Sequence, residues 1–351
     1  MSAKLRLHAA PGTLVSLAVV LALAVAGLVA LSGAEAAAVQ QVNCGDTITT
    51  DTTLHKDLVD CPNNGIVIGA NGITLNLNGH TIDGDGTEFA ACHPRREFCD
   101  FGVLNDGHDR VTVRHGSVRE FEAGAFANEA RHNRLLGISS STNRFAGLAF
   151  ADSARSLVRN SSGSDSTARQ DGAGMALFFS QHLRILDNSF RHNPRGIRVL
   201  GSTNNLIKGN LSSRNEIGIE LEGDNHNQVR RNRSIRDGLI GIYVAPGSGN
   251  VIARNRVSHT RGAQGGEGVA IEVDGGDHNV IARNAVHDIR ANAISVGFDV
   301  AVGNVVRRIT YAGPARTGCT STTKPSTPCL SATTPSARKM TALTSITRRR
   351  S

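Results

Sequence analysis

The sequence predicts an all-β solenoid, a parallel β-helix of about nine to ten rungs, from three observations. Asn188, Asn210, Asn232, Asn255 and Asn284 close equivalent phrases separated by 22, 22, 23 and 29 residues. A second series, Gly174, Gly196, Gly218, Gly241 and Gly268, advances beside it at 22, 22, 23 and 27. Between these markers lie two or three short stretches of alternating apolar and polar residues, bounded by Gly, Asn, Asp and Ser, with no helical period.

One such unit cannot bury its own apolar face. Stacking units about 4.8 Å apart pairs each strand with its copies above and below and seals the inward residues into continuous files. Ile197, Ile219, Ile242, Ile271 and Ile294 form one expected file, and Val199, Leu221, Val244, Val273 and Val296 the next. The recurring Asn fits a bend between strands, where its amide bonds the equivalent amide of the adjacent rung. Asn160, Asn210 and Asn232 also match the N-x-S/T acceptor pattern, but as ladder residues all three are expected to be buried and unmodified.

The ends differ from this body. Lys4 and Arg6, the apolar run Leu14 to Leu31 and the small residues 34–38 follow the order of a secretory signal peptide, assigned to residues 1–37. The β-helix is assigned to 38–311. Residues 312–351 read as a disordered basic tail rich in Thr, Ser and Pro, with ten Thr and six Ser from Ala315 onward. The leader carries +1 and the tail +7 of the formal +8, so the body carries no net charge. A neutral body argues against nucleic acid as a partner, and no segment beyond the leader is apolar enough to span a membrane. Six cysteines fall into close pairs, of which Cys44 with Cys61 and Cys92 with Cys99 are the expected disulfides of a secreted, extracellular or periplasmic chain, and Cys319 with Cys329 a weaker third. The first pair closes a segment, Val42 to Asn64, expected to cap the coil.

The run NGITLNLNGHTIDGDG at 71–86 and the repeated GIxLxxxxxNxVxxN phrases resemble the pectate-lyase-like right-handed parallel β-helix superfamily, closest to its NosD-like and general β-helix-repeat groups. The resemblance covers about residues 40–310 and implies a right-handed coil. It leaves the substrate open, because such coils serve lyases, hydrolases, epimerases, adhesins and copper-delivery proteins. The NTD, DD, GHG, RIK series of polygalacturonases is missing, and VGFD at 296–299 is a weak echo of the YGFDPH of alginate epimerases.

Extra residues at 87–101, 161–173 and 260–267 all fall before the first strand of a rung, so they should wall a groove over the first-strand sheet, which the resemblance makes the substrate side. Alternation gives the outward rows of that sheet: Ala176, Arg198, Glu220, Tyr243, Glu272, Ser295, and beside it Phe178, Leu200, Glu222, Ala245, Asp274, Gly297. Arg198, Glu220, Tyr243 and Glu272 are the candidate catalytic residues, and Glu222 and Asp274 candidate substrate ligands. Glu220 and Glu272, two rungs apart, have backbones about 9 to 10 Å from each other, close to the spacing of an inverting glycosidase pair. Outward carboxylates also serve solubility alone.

No His pair has metal-ligand spacing; His108, His226 and His278 recur in turn phrases, and three Met make a soft copper site poorly supplied. No cofactor is expected apart from calcium, for which Asp83, Asp85 and Glu88 are the candidate ligands. With no Trp and 4% aromatic residues, sugar-stacking platforms are scarce. The expected function is binding or processing of an extracellular polysaccharide by a monomer, as a lyase, hydrolase or epimerase-like enzyme if catalytic. The alternative is a non-catalytic rod at the cell surface or envelope, tethered by its tail.

Overall fold

The computed structural model describes residues 41–87, 100–262, 268–297 and 302–313, together with short strands at 320–321, 338–340 and 344–345. The proposed leader, the Cys92–Cys99 and Cys319–Cys329 pairs and most of the tail lie outside the described residues. Among the described residues every regular element is a β-strand, and no helix is long and apolar enough to cross a membrane.

The chain winds into a parallel coil of about eleven turns, slightly more than the nine to ten expected. Part of the difference lies at the start, where the segment closed by the Cys44–Cys61 disulfide is itself a turn of the coil. Its strands Asp46–Ile48, Thr52–Thr53 and Leu58–Cys61 pair in parallel with Ile66–Ile68, Thr74–Asn76 and Thr81–Gly84 of the next turn.

Each turn presents up to three faces. The first face is a single sheet running from Asp46–Ile48 through Arg195–Leu200 and Ile217–Glu222 to Ile294–Val296 and Thr320–Ser321. The second face stacks three-residue strands such as Leu206–Lys208 on Gln228–Arg230, and the third stacks Arg233–Ile235 on Arg256–Ser258. Two long strands, Thr112–Arg119 and Arg134–Ser141, run across both of these faces. In the C-terminal segment, Arg338–Met340 and Thr344–Ser345 pair antiparallel with Ile309–Tyr311 and Val305–Val306, covering edges that would otherwise stay open.

The core follows the predicted files. Ile197, Ile219, Ile242, Ile271 and Ile294 stand opposite one another in register and are sealed from solvent, as are Val199, Leu221, Val244, Val273 and Val296. Full burial of each such side chain is worth about 1.5–3 kcal/mol. The glycine series marks a close approach, since a Cβ on Gly196 would run into the backbone carbonyl of Gly218 in the next turn. Its last member shifts: Ala270, not Gly268, occupies this column, because Ile240 pairs with Val269.

The asparagine ladder is present between the second and third faces. Asn188, Asn210, Asn232 and Asn255 each donate their backbone amide to the side-chain Oδ1 of the next Asn at 2.8–2.9 Å. Their Nδ2 groups donate to the same oxygens at 3.0–3.1 Å. A second ladder, Asn205, Asn227, Asn250, Asn279 and Asn304, runs between the first and second faces. These amides satisfy bend groups that no strand pairing reaches. Asn210 and Asn232 are buried as expected, but Asn160 is exposed; it precedes the ladder position, which Ser161 fills.

Candidate functional site

Strand register places Ala176, Arg198, Glu220, Tyr243, Glu272 and Ser295 in one outward row of the first face, in the predicted order. Leu200 and Glu222 stand side by side in the adjacent row. The structure divides these residues into two groups.

The first group surrounds Glu220. Arg195 Nε donates to Glu220 Oε2 at 2.9 Å, and Arg198 Nε lies 3.7 Å from the same oxygen. Arg198 also reaches Asp171 Oδ1 at 2.9 Å and Glu222 Oε2 at 3.9 Å, while Arg195 lies 3.5 Å from Glu216. Although it points outward, Glu220 is only 6% exposed, because the two guanidinium groups lie against it. Arg198 Nε is buried with no hydrogen-bond partner, its nearest acceptor being the Glu220 carboxylate just beyond hydrogen-bond reach.

The second group is Tyr243, Glu272 and Asp274. Tyr243 Oη donates to Asp274 Oδ2 at 3.3 Å, so it turns away from Glu220, its neighbour in the row. Burial pushes the Tyr243 phenol up to about 12, with the charges of Asp274 and Glu272 adding to it. Burial first, and then the charge of Asp274, raises the Glu272 carboxyl above the usual range. Tyr243 is therefore a neutral hydroxyl, and Glu272 holds a proton more readily than an ordinary glutamate.

The sequence did not single out Arg195, the nearest partner of Glu220. Its column continues as Ile217, Ile240 and Val269, so it reads as apolar in the other rungs. Asp171 was also missed; it comes from 161–173, the one insertion that lies wholly among the described residues. That insertion stands where expected: the Thr167 and Ala168 amides bond the carbonyls of Asn143 and Arg144 in the preceding turn, and Asp171 reaches over to Arg198.

A third feature was hidden by the low aromatic content. The outward row continues toward the N-terminus as Leu104, Phe126, Ala149 and Ala176. These residues join Phe101, Phe145 and Phe178 in a second apolar cluster outside the coil interior. The rings of Phe101 and Phe126 stack with centroids 4.8 Å apart, and those of Phe145 and Phe178 at 5.8 Å. Phe179 is 63% exposed and lies over Gly201 in the next turn. Phe101, Phe126, Phe145 and Phe178 thus share the side of the coil that bears the charged groups, and Phe179 stands at the bend beside them.

Asp83 accepts from Arg119 Nη2 at 2.7 Å and Asp85 from the Thr87 amide at 2.9 Å, while Glu88 lies outside the described residues. His226 and His278 sit at bends with φ of 58° and 57°.

Residues 158–304 match the family model described as periplasmic copper-binding protein NosD. No curated protein sequence matches the chain. Among solved structures, a variant of the periplasmic alginate epimerase AlgG is 15% identical with a TM-score of 0.51, over 73% of this chain and 62% of that one. The Dettilon tailspike protein is 16% identical with a TM-score of 0.53, over 79% of this chain and 56% of that one. The chain thus spans less than two thirds of the length of either, and at these identities the likeness is one of fold. Among the described residues the donor set does not fit the copper of the family description: Cys44 and Cys61 are joined to each other, Met175 is sealed in the core, and no three His, Cys, Asp or Glu gather at a metal-binding distance. Parallel turns, stacked asparagines and the matched central rungs together make this chain a right-handed parallel β-helix protein with NosD-type repeats over residues 158–304.

Proposed function

We propose that the first face binds a polysaccharide chain laid along the coil axis, and that the chain is neutral and rich in hydroxyl groups. The reading is carried by one observation: an aromatic shelf and a cluster of oriented charged groups occupy successive turns of the same outward sheet. Sugar rings offer an apolar flank to stack on phenylalanine and hydroxyls that donate to carboxylates and accept from guanidinium groups. Carboxylates outnumber the two arginines in the cluster, which disfavours a polyuronate there. Export to an oxidising compartment, extracellular or periplasmic, fits the Cys44–Cys61 disulfide.

A hydrolytic reading is favoured by Glu272 in particular. A glutamate with a raised pKa, two rungs or roughly 9–10 Å of backbone from an ion-paired glutamate, has the layout of an inverting acid and base pair. Glu272 would protonate the departing glycosidic oxygen, and Glu220 would take the proton of the attacking water. The test is affinity electrophoresis of the full chain through gels containing neutral glucans, mannans or galactans, with an assay for released reducing ends. Retardation that is lost in Phe178→Ala and weakened in Arg198→Ala supports binding. Reducing ends that disappear in Glu272→Gln while retardation persists support hydrolysis. Migration unaffected by every neutral polymer would discard both readings.

A further inference from the structure

The net charge of the body conceals a separation of charge around the coil. Arg231, Arg254, Arg283 and Arg308 occupy the bend between the second and third faces, one in each of four successive turns, with φ between 55° and 59°. Their stacking is direct: the amides of Arg231, Arg254 and Arg283 donate to the carbonyls of Ala253, Ala282 and Arg307 in the following turn at 3.0–3.2 Å. All four side chains are exposed, and so are Arg233 and Arg256, which pair with each other on the third face beside them. The ion pairs among the described residues draw on other arginines, namely Arg119, Arg144, Arg159, Arg195 and Arg198. Among the described residues, most acids of the same turns are elsewhere: Glu220, Glu222, Glu272 and Asp274 on the first face, Asp224 and Asp237 in the interior, Glu216 beside Arg195 and Asp277 beside Val302, while Asp288, beyond the third face, lies 3.6 Å from His259.

Two further facts bear on this ridge. At the same bend, the preceding turns carry Asn160, Asp187 and Gly209, residues that suit a left-handed backbone, so the later turns keep arginine in a conformation that favours smaller residues. Like charges about one rung apart also repel, and this repulsion is relieved when an anion lies between or over them.

We propose that this arginine ridge binds an acidic polysaccharide, a linear chain of carboxylate-bearing sugars running parallel to the coil axis. One guanidinium per rung of about 4.8 Å offers a straight, evenly spaced row of carboxylate partners to a chain bearing one charge per ring. Single-stranded nucleic acid fits less well, because the outward rows around the ridge lack the aromatic side chains on which bases stack. A membrane fits less well because the large apolar side chains exposed among the described residues, Val59 and Phe179, lie away from the ridge. The ridge is separate from the first-face groove, and the protein would then bridge two polymers, a neutral one on one side and an acidic one on the other.

The test is binding of fluorescently labelled polygalacturonate to the full chain over a range of salt concentrations, compared with the triple variant Arg231→Asn, Arg254→Asn, Arg283→Asn. Asparagine suits the bend, so the variant keeps the fold, which circular dichroism and thermal melting verify. The expected result is a Kd weakened at least tenfold in the triple variant with a shallower salt dependence. Equal binding by the folded triple variant would overturn the proposal, since the basic residues beyond position 313 would then account for the affinity. Tighter binding of an oligodeoxythymidylate, or of vesicles containing anionic phospholipid, than of polygalacturonate would overturn the choice of partner.

Discussion

Tyr243 stands in register between Glu220 and Glu272 yet donates its hydroxyl hydrogen bond to Asp274, a residue of the neighbouring row, at 3.3 Å. The proton is held there by burial and by negative charge on two sides, which places phenolate formation near pH 12. Both tyrosines of the chain, Tyr243 and Tyr311, are shifted in this direction, Tyr311 mainly by burial. Ultraviolet titration of the folded protein should therefore show less phenolate at pH 10 than two free tyrosines, which are half ionised there. Asp274→Asn should bring part of the absorbance change to lower pH, and an unshifted curve in that variant would remove Asp274 as a cause.

Of the two arginines that face Glu220, Arg195 makes the closer contact, and Glu220 is almost wholly covered. Arg195→Ala leaves that carboxylate with only the longer approach of Arg198, a loss of about 1–3 kcal/mol after allowing for the partial exposure of Arg195. The double variant Arg195→Ala, Glu220→Gln should recover part of it, since no charge is then stranded. Urea unfolding of the four proteins in a double-mutant cycle reads the coupling directly, and additive effects would contradict the pairing.

Asp237 supplies a pH dependence with a definite sign. It continues the column of Asn193 and Asn215, accepting from the Asn215 amide at 2.9 Å and from Ser234 Oγ at 2.7 Å, and burial pushes its carboxyl up to about 6. An acid whose folded pKa lies above its unfolded value of 3.8 favours the folded state fully below pH 3.8 and loses that contribution as pH rises through about 6. Asp224, raised to about 7 chiefly by burial, acts in the same direction over 3.8 to 7. The wild-type coil should thus lose stability between pH 4 and pH 7 from these two groups. Asp237→Asn, which extends the asparagine column, should raise stability at pH 8 by on the order of 1–3 kcal/mol and flatten the profile. Thermal melts of both proteins at pH 4.5 and pH 8 measure it.

Ile219 lies between Ile197 and Ile242 in the interior file with no exposed surface. Ile219→Asp puts an unpaired charge among aliphatic side chains and should cost about 4 kcal/mol or more, enough to abolish cooperative unfolding of a marginal coil. A melt of wild-type shape in this variant would mean that the strand faces the other way.

The coil was legible because its physics repeats: a strand that buries alternate residues and a bend that needs an amide both recur with every turn, so Ile219 and Asn210 could be placed from spacing alone. The charged row of the first face followed from the same register. What stayed hidden depends on neighbours rather than on period. Arg195 shares a column with isoleucines, Asp171 reaches the site from an insertion without rhythm, and the four clustered phenylalanines are scattered over positions 101–178 until stacking brings them to one side. Tyr243 was placed correctly, but its hydroxyl chooses Asp274 over Glu220 through side-chain torsion, which register leaves free. The Cys44–Cys61 segment, expected to cover the open end of the coil, does so as a turn of its own, its strands pairing in parallel with those of the next.

The stacked asparagines have a consequence for how such a protein changes size. From Asn188 to Asn232 each ladder step spans 22 residues and ends on the same amide geometry it began with, so a duplicated or deleted turn rejoins like with like. Length becomes a quantity that can be adjusted in whole steps, and the reach along an elongated polymer grows or shrinks with it while the cross-section stays the same.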